Sequence, residues 1–259
     1  IVFTPKHGMR ITDVRFERNV IRSTGTGFNV LGYDYEHPYD RTQGPQLERV
    51  TIHDNLFILD PSRWGGTGRF MLIGEGADNF TVSQNTVVFE GTKTPSAAFY
   101  GYGALGVRGW SITNNIVFHG SYGIFSDSSS IGTNTLQLWF NDPVFTGNVL
   151  YDATASWYPS GNDYPSWTTL GPEFEDVPAH YYKLRAGSVF AGKAMEGQDG
   201  LAAGEIADGV YALDPDARVR ARSTRQLRFA GSAPARPSVP LLLDDIVELP
   251  TERLTIRVG

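Results

Sequence analysis

Residues 79–90, NFTVSQNTVVFE, decide how this chain is read. Phe80 and Val82 alternate with polar neighbours, Asn85 follows, and Val87 resumes the apolar series. That is strand periodicity of two, not the 3.6 of a helix. Four other stretches align with it without gaps: Asp13–Thr24 (DVRFERNVIRST), Arg49–Asp60 (RVTIHDNLFILD), Gly109–Gly120 (GWSITNNIVFHG) and Asp142–Ala153 (DPVFTGNVLYDA). Each sets an Asn at one register, Asn19, Asn55, Asn85, Asn115 and Asn148, with spacings of 36, 30, 30 and 33 residues. An apolar residue stands three before each (Phe16, Ile52, Val82, Ile112, Phe145) and two after (Ile21, Phe57, Val87, Val117, Leu150).

Strands that repeat at about thirty residues without helices between them predict an all-β solenoid whose coils stack in parallel. A propeller needs four antiparallel strands per repeat, and no regular Asn-Gly or Asp-Gly hairpins occur. Stacked coils place like residues above one another. The apolar registers then form interior rows, and the Asn amides hydrogen-bond along the stack as in other β-ladders. Asn also suits the left-handed backbone of a sharp corner.

Composition narrows the function. The chain has 259 residues, 41% hydrophobic and 19% charged, enough apolar material for a large core. Its 22 Lys and Arg against 28 Asp and Glu argue against nucleic acid as a partner, because phosphate neutralisation needs a basic face. There is no cysteine, which excludes disulfides, thiolate nucleophiles and Cys-zinc sites. No run of 18 apolar residues is present, so no membrane span is expected. No HExxH, GxSxG or Walker pattern occurs among the scattered histidines and glycines.

The repeat, [VI]-x-[FIV]-x-x-N-x-[FVIL], resembles that of secreted bacterial right-handed parallel β-helix proteins of the pectate-lyase-like superfamily. The phrases IVFTPKH, GFNVLGYDYEHP, SRWGGTGRF and HYYKLRAGSVFAGKAMEGQDG are similar to a subgroup of unassigned function, the last as a closing coil. The resemblance implies a single-stranded right-handed parallel β-helix over residues 1–212, secreted or at the cell surface. A linker and C-terminal extension follow over 213–259, rich in Arg and then in Pro, Ser and Ala. Strand-like stretches at Val247–Leu249 and Leu254–Val258 either open another module or fold back along the solenoid. No capping segment is visible before Ile1, so upstream coils or a neighbouring molecule are expected to cover that end.

Acidic-polysaccharide lyases on this fold use Lys or Arg as base, often with calcium held by carboxylates. In matching turns, Asp60 and Glu90 lie five residues after their Asn, and Arg63 and Lys93 lie eight after. They are the candidate catalytic residues, against the plainer reading of paired surface charges. No cofactor is expected from these residues, with calcium the one metal left open by the resemblance. Tyr33 and Tyr35, in a loop that also holds Asp34, Glu36, His37, Tyr39 and Asp40, are candidate substrate contacts. So are Trp64, in the Gly-rich turn SRWGGTGR, and Trp157 and Trp167, in WYPSGNDYPSW. Aromatic rings pack on the CH faces of sugars, but the last loop reads rather as a lid that closes the C-terminal end of the core. The expected function is therefore binding or processing of an extracellular polysaccharide or cell-surface glycan by lyase or hydrolase chemistry. The alternative is a non-catalytic structural or adhesive solenoid that self-associates through uncapped ends.

Overall fold

The computed structural model describes residues 1–37, 46–103 and 105–192. The extension over 213–259, the end of the closing-coil phrase, and Tyr39 and Asp40 lie outside them. The first fifteen strands fall into five successive triplets. These are β1 (Val2–Phe3), β2 (Ile11–Glu17) and β3 (Val20–Thr24); then β4 (Phe28–Val30), β5 (Leu47–His53) and β6 (Leu56–Leu59). Next come β7 (Met71–Gly74), β8 (Ala77–Ser83) and β9 (Thr86–Phe89), and then β10 (Phe99–Tyr102), β11 (Ser111–Thr113) and β12 (Ile116–Phe118). The last triplet is β13 (Ile124–Ser126), β14 (Val144–Thr146) and β15 (Val149–Tyr151). First members make one sheet, β1-β4-β7-β10-β13; second members another, β14-β11-β8-β5-β2; third members the last, β15-β12-β9-β6-β3. Every pairing in these three sheets is parallel. Three five-stranded parallel sheets visited in rotation fit a parallel β-helix.

The register follows the sequence alignment. Phe16, Ile52, Val82, Ile112 and Phe145 pair in succession across the second sheet. In the third sheet Ile21 pairs with Phe57, Phe57 with Val87, and Val117 with Leu150. Phe57, Val87, Val117 and Leu150 are all buried. Down the middle, Phe28, Phe57, Phe70 and Phe99 touch in turn, with centroids 5.4, 5.1 and 5.6 Å apart. Because the row is closed on both sides, Val117→Ala should cost about 1–3 kcal/mol, from lost burial plus the cavity left behind. A denaturation midpoint unchanged from wild type would contradict that packing.

At the corner between the second and third sheets the asparagines form a ladder. The backbone N–H and Nδ2 of Asn19 donate to Oδ1 of Asn55, at 2.9 and 3.0 Å. Asn55 donates to Asn85, Asn85 to Asn115 and Asn115 to Asn148 in the same two-bond pattern. The left-handed corner residue is not the Asn, however. It is the residue before it: Arg18, Asp54, Gln84, Asn114 and Gly147 all have positive φ, between 53° and 70°. The Asn itself stays out of the left-handed region, and its amide points along the stack to the next coil.

The ladder gains a sixth member that the repeat did not show. Asn162, in the loop after β15, accepts from Asn148 N and Nδ2 at 2.9 and 3.0 Å. Its own Nδ2 turns back to carbonyls of Phe145 and its own loop. The loop thus imitates the next coil and closes that end. Trp167 opens α3 (Trp167–Leu170; α1 and α2 are Pro61–Trp64 and Thr133–Leu138) and packs on Tyr151 at 5.0 Å. A hairpin of β16 (Phe174–Asp176) and β17 (Tyr181–Leu184) follows.

Candidate functional site

The stacking that builds the core also carries the turns after β6 and β9 to one surface. Leu59 pairs with Phe89, so Asp60 and Glu90 leave their strands side by side. Asp60 is the N-cap of α1 and accepts from the amides of Ser62 and Arg63, both at 3.0 Å. Gly91, left-handed at φ 83°, lets the next turn close on it: a Cβ there would lie 2.5 Å from Asp60 Oδ1. Arg63 lies over its neighbour Trp64, 5.1 Å from the ring centroid. Lys93 Nζ donates to the Gly66 carbonyl at 2.7 Å. Among the described residues, no ion pair joins any two of Asp60, Arg63, Glu90 and Lys93. Three of the four groups are held by local backbone or ring contacts.

Glu90 is engaged differently. Its Oε1 accepts from the Tyr182 hydroxyl at 2.8 Å and from His180 Nδ1, both on the distant hairpin. Neither partner was visible from the repeat, because the hairpin lies outside it. This contact fastens the hairpin to the third turn.

Of the aromatic candidates, Tyr33 is 4% exposed and donates its hydroxyl to Glu75, while Tyr35 stacks on it at 4.4 Å. These contacts tie the loop to later coils, where Tyr35 also lies against Tyr102 at 5.8 Å, so both rings are spent on packing. Asp34 beside them accepts from the amides of His7 and Glu36 and meets the His37 ring. Among the described residues no group of three or more His, Asp or Glu is placed to hold a metal. Trp64 is exposed but lies on an open turn. Trp167 belongs to the closing loop.

Trp157 is where aromatic candidates meet a concavity. A groove of about 580 Å³ is lined by Tyr122, Phe125, Ser130, Ile131, Thr133, Asn134, Ser156 and Trp157. Among these, Trp157 is 46% exposed and Tyr122 47% exposed. Phe125 is the outward residue of β13, whose neighbours Ile124 and Ser126 point inward. It lies tilted against Tyr122 at 5.2 Å and stacks on Tyr100 of the neighbouring strand β10 at 5.5 Å. Trp157 ends a 3₁₀ turn (Ala155–Trp157), and its carbonyl accepts from Thr133 Oγ1 at 3.0 Å. Gly132, left-handed at φ 78°, lets α2 approach, since a Cβ there would meet that carbonyl at 2.2 Å. The Asn134 amide donates to Ser130 Oγ, leaving Asn134 Oδ1 and the Ser156 hydroxyl with no partner among the described residues. No lining residue carries a formal charge.

Beneath Trp157 lies His119, 6.0 Å ring to ring, with Tyr158 at 5.8 Å. His119 Nδ1 sits 2.8 Å from the Gly120 carbonyl and is therefore the donor nitrogen; Nε2 is buried without a partner. Burial holds the imidazole below its ordinary value of 6.5. The unfolded chain thus takes up a proton below that value while the folded chain resists it, so stability is lost as pH falls. Thermal scans at about pH 7.5 and about pH 5.5 should show a larger drop for wild type than for His119→Gln. Equal drops would contradict a neutral, buried His119.

Comparison with known proteins returned no matching family model, no matching curated protein and no matching solved structure. No helix among the described residues is long and apolar enough to cross a membrane.

Proposed function

We propose that this chain is a right-handed parallel β-helix of the pectate-lyase-like kind that binds an extracellular or cell-surface polysaccharide in the groove between Tyr122 and Trp157. The handedness rests on the strong preference of parallel strand crossovers for the right-handed sense. The observation that carries the function is the groove itself. Two half-exposed aromatic rings, Trp157 and Tyr122, share its lining with Phe125 and Ile131 and with the unpaired Ser156 hydroxyl and Asn134 Oδ1. Aromatic faces take the CH side of a sugar ring, and fixed hydroxyl and amide groups take its hydroxyls. The uncharged lining favours a neutral sugar over a uronate. The competing reading, assembly of solenoids end to end, needs two open ends, and Asn162 closes one of them.

Isothermal titration against a panel of neutral and uronate-containing oligosaccharides tests this. Wild type should bind a neutral member, and Trp157→Ala should weaken it at least about tenfold while leaving the thermal midpoint nearly unchanged. Absence of binding to every member, or equal binding by the variant, would remove the proposal's support.

A further inference from the structure

The groove lined by Trp157 and Tyr122 carries uncharged polar groups of fixed sense. Asn134 Nδ2 donates to Ser130 Oγ at 2.5 Å, which leaves Asn134 Oδ1 as an acceptor with no proton to give. Ser130 accepts that bond, so its own hydroxyl proton remains to donate, as does that of Ser156 on the 3₁₀ turn that ends in Trp157. Neither proton has a partner among the described residues. Ile131, part-buried against the core, and Phe125 add apolar surface to the same lining.

The turn that bears Ser130, Ile131 and Asn134 is held by a chain of hydroxyls. Ser126 Oγ meets Ser129 Oγ at 2.5 Å, and Ser129 Oγ meets Thr135 Oγ1 at 2.7 Å. Thr135 Oγ1 also donates to the Ser130 carbonyl. Ser126 and Thr135 are fully buried. The acceptor, the donor and the apolar surface are thus set before a ligand arrives, which lowers the ordering cost of binding.

One substituent of neutral sugars uses all of these groups. An acetamido group has an N–H that only donates, a carbonyl that only accepts, and a methyl. A carboxylate or an ammonium would need a counter-charge, and no lining residue carries one. Resting on the reading of the groove as a glycan site, we infer that its ligand is an N-acetylated amino sugar. The acetamido N–H is taken by Asn134 Oδ1, and its methyl lies on Ile131 and Phe125. In a trans amide the N–H and the carbonyl point opposite ways. Ser130 Oγ is bonded to Asn134 itself and so stands on the acceptor's side. Ser156 comes from a separate turn and is the donor for the carbonyl, while the Ser130 hydroxyl is left for a ring hydroxyl. The sugar ring packs on Trp157, beside Ser156 in the chain.

Matched sugars test this on the full chain, by titration and by saturation-transfer NMR. N-acetylglucosamine, N-acetylgalactosamine and N-acetylmannosamine are set against glucose, galactose and mannose. Chitotetraose is set against cellotetraose, which shares its backbone and differs in one substituent per ring. At least one acetylated member should bind about tenfold or more tightly than its parent sugar, with the acetyl methyl receiving the strongest saturation. Asn134→Ala and Ser156→Ala, both at exposed positions, should each shrink that preference while the thermal midpoint stays near wild type. Equal or tighter binding of the parent sugars overturns the inference and leaves the groove a glycan site, as does a preference that neither variant changes. Binding of none of these sugars also overturns it, and the glycan reading falls with it only if the wider panel of neutral and uronate-containing oligosaccharides fails as well.

Discussion

Asn85→Leu should lower unfolding stability by at least about 3 kcal/mol, more than a typical surface or single-contact change. Asn85 is fully buried at the centre of the ladder. Its Oδ1 accepts from Asn55 N and Nδ2, and its Nδ2 donates to Ile52 O, Ser83 O and Asn115 Oδ1. Leucine conserves the volume but removes all of these bonds. The Asn55 backbone N–H then remains unpaired in a dry corner, at roughly 1–3 kcal/mol, while its Nδ2 keeps the Phe16 and His53 carbonyls; the bonds that Asn85 Nδ2 gave to Ile52 O, Ser83 O and Asn115 Oδ1 are lost as well, at roughly 1 kcal/mol each. The effect passes to both neighbouring coils, so the variant should also broaden the urea transition. A chemical denaturation curve that superimposes on wild type would show that the amides do not bear on stability. Asn162→Ala should cost less, because the closing loop is part-exposed and water replaces the lost bonds.

Trp110→Ala should cost about 3–5 kcal/mol, the range for emptying a buried tryptophan site. Trp110 lies flat on Phe80, with centroids 4.5 Å apart and planes within 2°, and meets Phe140 edge-on at 5.4 Å. Its Nε1 donates to the Ala77 carbonyl at 2.6 Å, tying two coils together. Alanine leaves a cavity against two rings and an unpaired buried carbonyl. Calorimetry of the two tryptophan variants should separate their roles: Trp110→Ala loses stability, and Trp157→Ala keeps it while losing ligand affinity. A small change at Trp110 would mean that the neighbouring rings collapse into the space.

The coil stack was legible because stacking forces periodicity on every inward residue. Phe16, Ile52, Val82, Ile112 and Phe145 share a register for the same reason that they share a sheet. Asn162 escaped the alignment because it follows Asn148 by 14 residues, not about thirty; the closing loop reaches the same place by a shorter path. The left-handed corner lies one residue before the position the repeat suggests, since sequence marks the recurring amide and not the backbone angle beside it. The groove was less legible still. Trp157 stood out as an aromatic in a loop, but Tyr122 and Phe125 face outward between repeats, where no packing rule fixes residue type. Asp60, Arg63, Glu90 and Lys93 do leave neighbouring turns, yet their partners are a helix start, a ring, a carbonyl and a hairpin 90 residues away. Offsets along a repeat place such residues but do not show what they touch.

The groove is the centre of the functional account, and the most direct measurement is a crystal structure of the chain grown with the neutral oligosaccharide it binds best in solution. The account predicts a sugar ring stacked between Tyr122 and Trp157, with hydroxyls on Asn134 Oδ1 and Ser156. A saccharide seated instead on the turns that carry Asp60, Arg63, Glu90 and Lys93, with the Tyr122–Trp157 groove empty, would contradict it.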